Sequence, residues 1–127
     1  MIPKFRAWDK ETQLLINVLV IDWLNELVDL EGGRIDRQFD EVELIQSTGL
    51  KDKNGVEIFE GDIVVVEHHP FQRKENSGAG FNIEGKYVIQ WNQHDLTWCA
   101  GDLLLARLKP YVRVIGNTWE NSDLLGK

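Results

Sequence analysis

The stretch from Thr48 to Val66, TGLKDKNGVEIFEGDIVVV, constrains this chain more than any other. Asp52-Lys53-Asn54-Gly55 places Asn-Gly where a hairpin turn needs positive φ at successive residues. Glu60-Gly61-Asp62 repeats the punctuation, and Ile63-Val64-Val65-Val66 then runs apolar on both faces. A β-branched run of that kind suits a strand wrapped into a small barrel or covered on both sides. The segment therefore specifies β architecture, and it carries almost no catalytic chemistry.

The rest of the chain reads in the same way. Leu14, Ile16, Val18 and Val20 alternate in phase, and Asn25-Glu26 can turn into Leu27-Val28-Asp29-Leu30. A helical reading through Val20, Leu24, Leu27 and Val28 competes over residues 18–30, and the β-branched and aromatic enrichment favours strands. Val42 to Ile45, Lys86 to Trp91, Leu96 to Ala100, Leu103 to Leu108 and Val112 to Ile115 are further strand candidates, although Leu103 to Leu108 also fits a short helical turn. Turn residues separate them at Asn92-Gln93-His94-Asp95, Gly101-Asp102 and Lys109-Pro110. His69 to Asn82 is too polar and broken for a strand interior and reads as a loop. These patterns predict an all-β fold with little helix in one structural unit: a β-meander over residues 1–46, then a small barrel over 47–127.

Composition narrows the function classes. At 127 residues, with 43% apolar, the chain can build a core without metal or disulfide staples. Cys99 is the single cysteine, so no internal disulfide forms. Met1-Ile2-Pro3-Lys4 has no apolar signal region, and Asn17, Asp22, Asn25, Glu26 and Asp29 interrupt the longest apolar-rich run. The expected location is a reducing cytoplasm. The net charge of −7 is uneven, because residues 1–60 hold 13 acids against 7 Lys/Arg. Asp22 to Glu43 alone carries eight acids, with only Arg34 and Arg37 in return. That region repels a phosphate backbone and can attract a basic protein, or simply serve as a solvated face.

Four separated blocks carry a resemblance. They are Ile2 to Asp9 (IPKFRAWD), Leu44 to Gly55 (LIQSTGLKDKNG) with Ile58 to Val64 (IFEGDIV), and Val114 to Asn121 (VIGNTWEN). In order and end to end, they resemble the YopX-like family of small bacteriophage and prophage proteins. The resemblance implies a single domain over 1–127, all-β, with an SH3-like barrel in its second half. It also implies a phage or prophage origin and the bacterial host cytoplasm as location, and it supplies no catalytic set. The blocks have structural reasons of their own. Gly49, Gly55, Gly61 and Gly116 occupy turn-like positions, Asp52 and Asn54 can close local hydrogen bonds, and Phe5, Trp8, Phe59 and Trp119 are aromatic anchors.

Catalytic, cofactor and metal chemistry find little support. His68 and His69 are adjacent and point to opposite faces of a strand, and with His94 and Cys99 they match no zinc spacing. Cys99 follows Trp98 in a strand-like run, which suits a buried, inert thiol. Glu57, Glu60 and Asp62 could be drawn as an acid/base group, but each also fits a turn or edge. Ser77-Gly78-Ala79-Gly80 lacks the Lys-Ser/Thr pair of a phosphate loop. The chain is expected to be non-enzymatic, with no cofactor, metal, membrane or small-molecule partner. The leading expectation is binding of a host or phage protein through Asp29, Glu31, Asp36 and Asp40 together with Phe71, Arg73 and Lys74 of the loop. The alternative is nucleic-acid stacking on Trp91 and Trp98 with nearby Lys/Arg. Self-association into a homo-oligomer is a separate expectation, motivated by open strand edges.

Overall fold

The computed structural model describes residues 4–32, 35–67 and 83–125, and it is all-β, as the residue patterns predict. The chain divides into two compact units, Met1–Gly49 and Leu50–Lys127.

The first unit is an antiparallel sheet of β1 (Phe5–Asp9), β2 (Leu14–Asp22), β3 (Leu27–Leu30), β4 (Ile35–Gln38) and β5 (Val42–Lys51). The strands lie in the order β4-β3-β2-β1-β5, and β5 runs on past the division between the units. Over residues 18–30 the strand reading holds, with the chain reversing at Trp23–Glu26. Asp22 makes that reversal: its carboxylate accepts the Leu24 and Asn25 N–H groups at 3.1 Å each and the Asn25 side-chain amide at 2.8 Å. Glu26 closes the turn at φ 58°. A helix would leave Asp22 without these bonds, which is why the local turn chemistry wins. Ala7, Val28, Leu30 and Val42 form the buried centre, with Ile16, Val18, Ile21, Phe39 and Leu44 packed around it.

One ion pair fixes the rim of this core. Asp9 is fully buried, and Arg37 grips it with Nε on Oδ1 at 2.9 Å and Nη2 on Oδ2 at 3.2 Å. The Thr12 hydroxyl donates to Oδ2 at 2.7 Å, so the same carboxylate also shapes the β1–β2 turn. The Arg37 guanidinium, helped by Thr12, holds the Asp9 carboxyl down at about 2 against the opposing effect of burial.

The second unit contains β6 (Glu57–Phe59), β7 (Asp62–Val66), β8 (Gly85–Asn92), β9 (Thr97–Ala100), β10 (Leu103–Leu104), α1 (Leu105–Leu108) and β11 (Val112–Asn117). A five-stranded antiparallel sheet has the order β10-β9-β8-β7-β11. The ambiguous Leu103 to Leu108 segment splits: two residues pair with β9, and the next four turn helically so that Leu105 and Leu108 drop into the core. They meet Ile58, Val64, Val66, Ile89 and Val112 there. The run Ile63 to Val66 lies within β7, between β8 and β11, and is buried at Ile63, Val64 and Val66.

Two turn expectations need correction. The Asn54-Gly55 turn has positive φ only at Gly55 (82°), not at both residues. Gly55 N–H donates to the Asp52 carbonyl at 3.0 Å and Asp52 N–H to the Val56 carbonyl at 2.8 Å, the pattern of a type I turn closed by a left-handed glycine. Asp52 selects it, because its Oδ1 accepts both Asn54 N–H (2.8 Å) and Val56 N–H (2.9 Å). Gly116 lies inside β11, where the pairing with β7 slips between Val114 and Gly116. A Cβ there would stand 2.8 Å from Asn121 Oδ1, so close approach, not a turn, explains the glycine.

Candidate functional site

The outer face of the β2–β3–β4 ribbon brings part of the expected acidic surface together. Asp29 on β3 lies directly across from Asp36 on β4, and Val20 on β2 lies across from Asp29. Directly opposed residues share a sheet face, so Val20, Asp29 and Asp36 form one exposed row. The inward-facing partners, Ile21, Val28 and Arg37, form the row behind it. A hydrogen bond with Asp36 and its negative charge hold the Asp29 carboxyl above the usual carboxylate range. Among the described residues neither acid has a cationic partner. Arg37, next to Asp36 in sequence, faces inward onto Asp9.

The other expected acids separate. Glu31 accepts the Asn17 side-chain amide at 2.9 Å beyond the far end of β3, and is engaged there. Asp40 lies in the 3₁₀ turn Phe39–Glu41 and lines a shallow cavity of about 370 Å³ with Asn25, Glu26, Gln38 and Phe39. Phe71, Arg73 and Lys74, together with His68 and His69, lie outside the described residues.

Sequence reasoning missed the exposed apolar side chains of this ribbon. Leu19 and Val20 within β2 are 63% and 53% exposed, and Trp23 and Leu24 in the β2–β3 turn are 65% and 90% exposed. Pairing slips between Val18 and Val20, so Leu19 stands in an irregularity of β2. Trp23 packs edge-to-face on Phe39 with ring centroids 5.5 Å apart, which couples the tip to the cavity wall. The signal was present in LLINVLVID, which is apolar in both strand phases although only one phase can face the core.

The tryptophan pair has a different setting. Trp91 and Trp98 are cross-strand partners on β8 and β9, edge-to-face at 5.2 Å. Trp98 packs against the core of the second unit, while Trp91 is 42% exposed and donates its indole N–H to Gln93 at 2.8 Å. Lys86, on the same strand, has the opposite parity from Trp91 and therefore faces the other side. The ring faces and the nearest strand cation do not converge into a stacking groove.

The chemistry-bearing residues are occupied locally. Asp62 is buried and accepts the Phe59 N–H at 2.8 Å. Cys99 is buried, and the His94 side chain is 90% exposed with Asp95 at 4.0 Å. Among the described residues no group of three His, Cys, Asp or Glu could hold a metal ion, and no helix is long and apolar enough to cross a membrane.

Comparison with known proteins joins these features to a family. A family model described as YopX protein matches residues 4–126. The chain belongs to the YopX family. Among solved structures, this YopX chain is similar to protein EF1440 from Enterococcus faecalis, at 29% identity and a TM-score of 0.65. The likeness covers 98% of this chain and 99% of that one, so the two share one fold throughout. No curated protein matches the chain.

Proposed function

We propose that this YopX-family chain is a non-enzymatic accessory protein of a phage or prophage, acting in the host cytoplasm by binding another protein. The exposed pair Trp23 and Leu24 at the hairpin tip carries the reading. These two large apolar side chains, with Trp23 packed on the Phe39 wall of the cavity, form a surface of the kind that partners cover. An aromatic anchor on a firmly turned hairpin loses little entropy on binding, because Asp22 already fixes the tip. The phage setting rests on the family resemblance.

The test is affinity capture from host cells with the wild-type chain and a Trp23→Asp/Leu24→Asp variant. Both residues are exposed, so the variant is expected to fold, and a specific partner is retained by wild type and lost by the variant. Identical captures from the two would refute the reading. Nucleic-acid binding is the competing outcome: a salt-dependent complex with single-stranded DNA or RNA that Trp91→Ala abolishes and Trp23→Asp leaves intact. A homo-oligomer by light scattering, dissociated by Trp23→Asp, would assign the tip to self-association instead.

A further inference from the structure

The cavity beside the hairpin tip has a chemistry of its own, and its use rests on the reading that Trp23 and Leu24 form a docking surface. We infer that this cavity receives one basic side chain of the docked protein, an arginine or a lysine, with its stem on Phe39 and its charged head at Glu26 and Asp40.

The lining is assembled from two turns. Asn25 and Glu26 belong to the β2–β3 turn, Gln38 ends β4, and Phe39 and Asp40 open the 3₁₀ turn that follows. Two carboxylates, two amides and one aromatic ring thus border a space of about 370 Å³. Ligand pockets begin at about that size, and one long side chain fits there where a folded element does not. The walls are held before any guest arrives. Phe39 N–H donates to the Glu26 carbonyl at 2.9 Å, tying one turn to the other, and Gln38 N–H donates to Glu41 Oε1 at 2.8 Å. Trp23 packs edge-to-face on Phe39 and fixes its ring from the tip side. A guest therefore orders little of the protein on entry.

Charge and the ring together select the guest. Among the described residues the Glu26 and Asp40 carboxylates have no ion pair and no hydrogen bond. Lys10 reaches only the Asp40 carbonyl, at 3.1 Å, and Glu43, at 3.4 Å. Arg37 is taken by Asp9 and Glu11. The Asn25 side-chain N–H is spent on Asp22, which leaves its carbonyl oxygen, an acceptor, for a guest. An alkylammonium or guanidinium head matches these acceptors, while its hydrocarbon stem and charge both gain from an aromatic wall. A bare metal ion would make no use of Phe39, and among the described residues no three His, Cys, Asp or Glu could hold one. A phosphate would meet the two carboxylates and be repelled. Because Trp23 and the cavity meet at Phe39, an apolar anchor on Trp23 and a basic residue in the cavity belong to one short segment of the partner.

The experiment is random-peptide display on the full chain, followed by NMR titration of enriched peptides that need Trp23 for binding. These peptides should carry an essential Arg or Lys, and replacing it by the neutral citrulline or norleucine should weaken binding at least about tenfold. Saturation should shift the amide signals of Glu26 and Phe39. The exposed-site variant Glu26→Gln/Asp40→Asn should weaken the basic peptides by about the same factor at low salt and leave the neutral ones unchanged. Asp29→Asn/Asp36→Asn removes as much charge from the outer row of the same sheet and should bind like wild type. Equal weakening by both variants would reduce the effect to net charge and overturn the inference. Trp23-dependent peptides that lack basic residues, or that ignore Glu26→Gln/Asp40→Asn, would also overturn it and leave the tip as a docking surface. If no enriched peptide depends on Trp23, the docking reading falls, and this inference with it.

Discussion

Asp52 bonds to three backbone N–H groups, and its removal is the sharpest test of how the second unit is built. The side chain is 6% exposed. Oδ1 serves the turn at Asn54 and Val56, and Oδ2 accepts the Val114 N–H of β11 at 2.9 Å. Asp52→Ala deletes all three acceptors. The two turn amides can turn to water, so each bond contributes about 0.5–1 kcal/mol. The half-buried Val114 N–H has poorer recourse to solvent, which adds about 1–3 kcal/mol. The combined loss is about 2–5 kcal/mol. With a urea m-value of about 2 kcal/mol/M, the unfolding midpoint should fall by roughly 1–2.5 M. Amide hydrogen exchange gives a second readout, with Val114 losing protection in the variant. Asp52→Asn, which keeps one accepting oxygen, should fall between the two. A midpoint equivalent to within about 0.5 kcal/mol of wild type, with Val114 protection unchanged, would refute the account.

Acid should weaken both units. Arg37, with Thr12, depresses Asp9 from 3.8 to about 2, and Arg113, with Lys53, depresses Glu67 from 4.5 to about 2. A depressed carboxylate stabilises the fold above its unfolded value and loses that contribution as pH falls toward the folded one, so urea midpoints should decline from about pH 5 to about pH 2. Asp9→Asn and Glu67→Gln should each flatten that decline. Asp29 has the opposite sign: its raised value marks repulsion by Asp36 when both are ionised, so Asp29→Asn should raise stability at neutral pH and lose the advantage in acid. Gly61 has φ 82°, and a Cβ there would stand 3.1 Å from Trp119 Nε1 and 3.3 Å from Thr118 Oγ1. Gly61→Ala should therefore cost about 1–3 kcal/mol by urea titration. The Cys99 thiol is 2% exposed and should react with a thiol reagent only as fast as the chain opens, then rapidly in denaturant.

Local chemistry made much of the fold legible. Asp-Lys-Asn-Gly and the β-branched run at Ile63 announced a hairpin and a covered strand, and both are there. The turn class was misjudged because Asp52 reaches past its neighbours and selects a different closure. Ile35–Gln38 went unrecognised as a strand because its Asp-Arg-Gln sequence has no apolar alternation. It pairs with β3 through backbone bonds, and its one inward cation is matched by an acid 28 residues earlier. Of the candidate site, the acidic region was visible from composition alone. Which acids oppose each other depends on register, and composition carries no register. The exposed apolar side chains stayed hidden because Leu19, Val20 and Leu24 read equally well as core residues until the sheet showed which phase faced inward.

The bond from Asp52 to Val114 joins residues 62 positions apart. A hairpin closes in microseconds from local contacts, so the turn can form as soon as the segment through Val56 leaves the ribosome. Its second carboxylate oxygen then has no strand to hold until β11 has been synthesised. Throughout that interval β7 offers β8 one edge and leaves the other bare. The nascent chain thus carries its most β-prone segment, Ile63 to Val66, with an open flank for most of the translation of its second half. Misassembly of this protein, where it occurs, should begin there, and a chaperone that shields β7 until Val112–Asn117 arrives would raise the yield of native molecules.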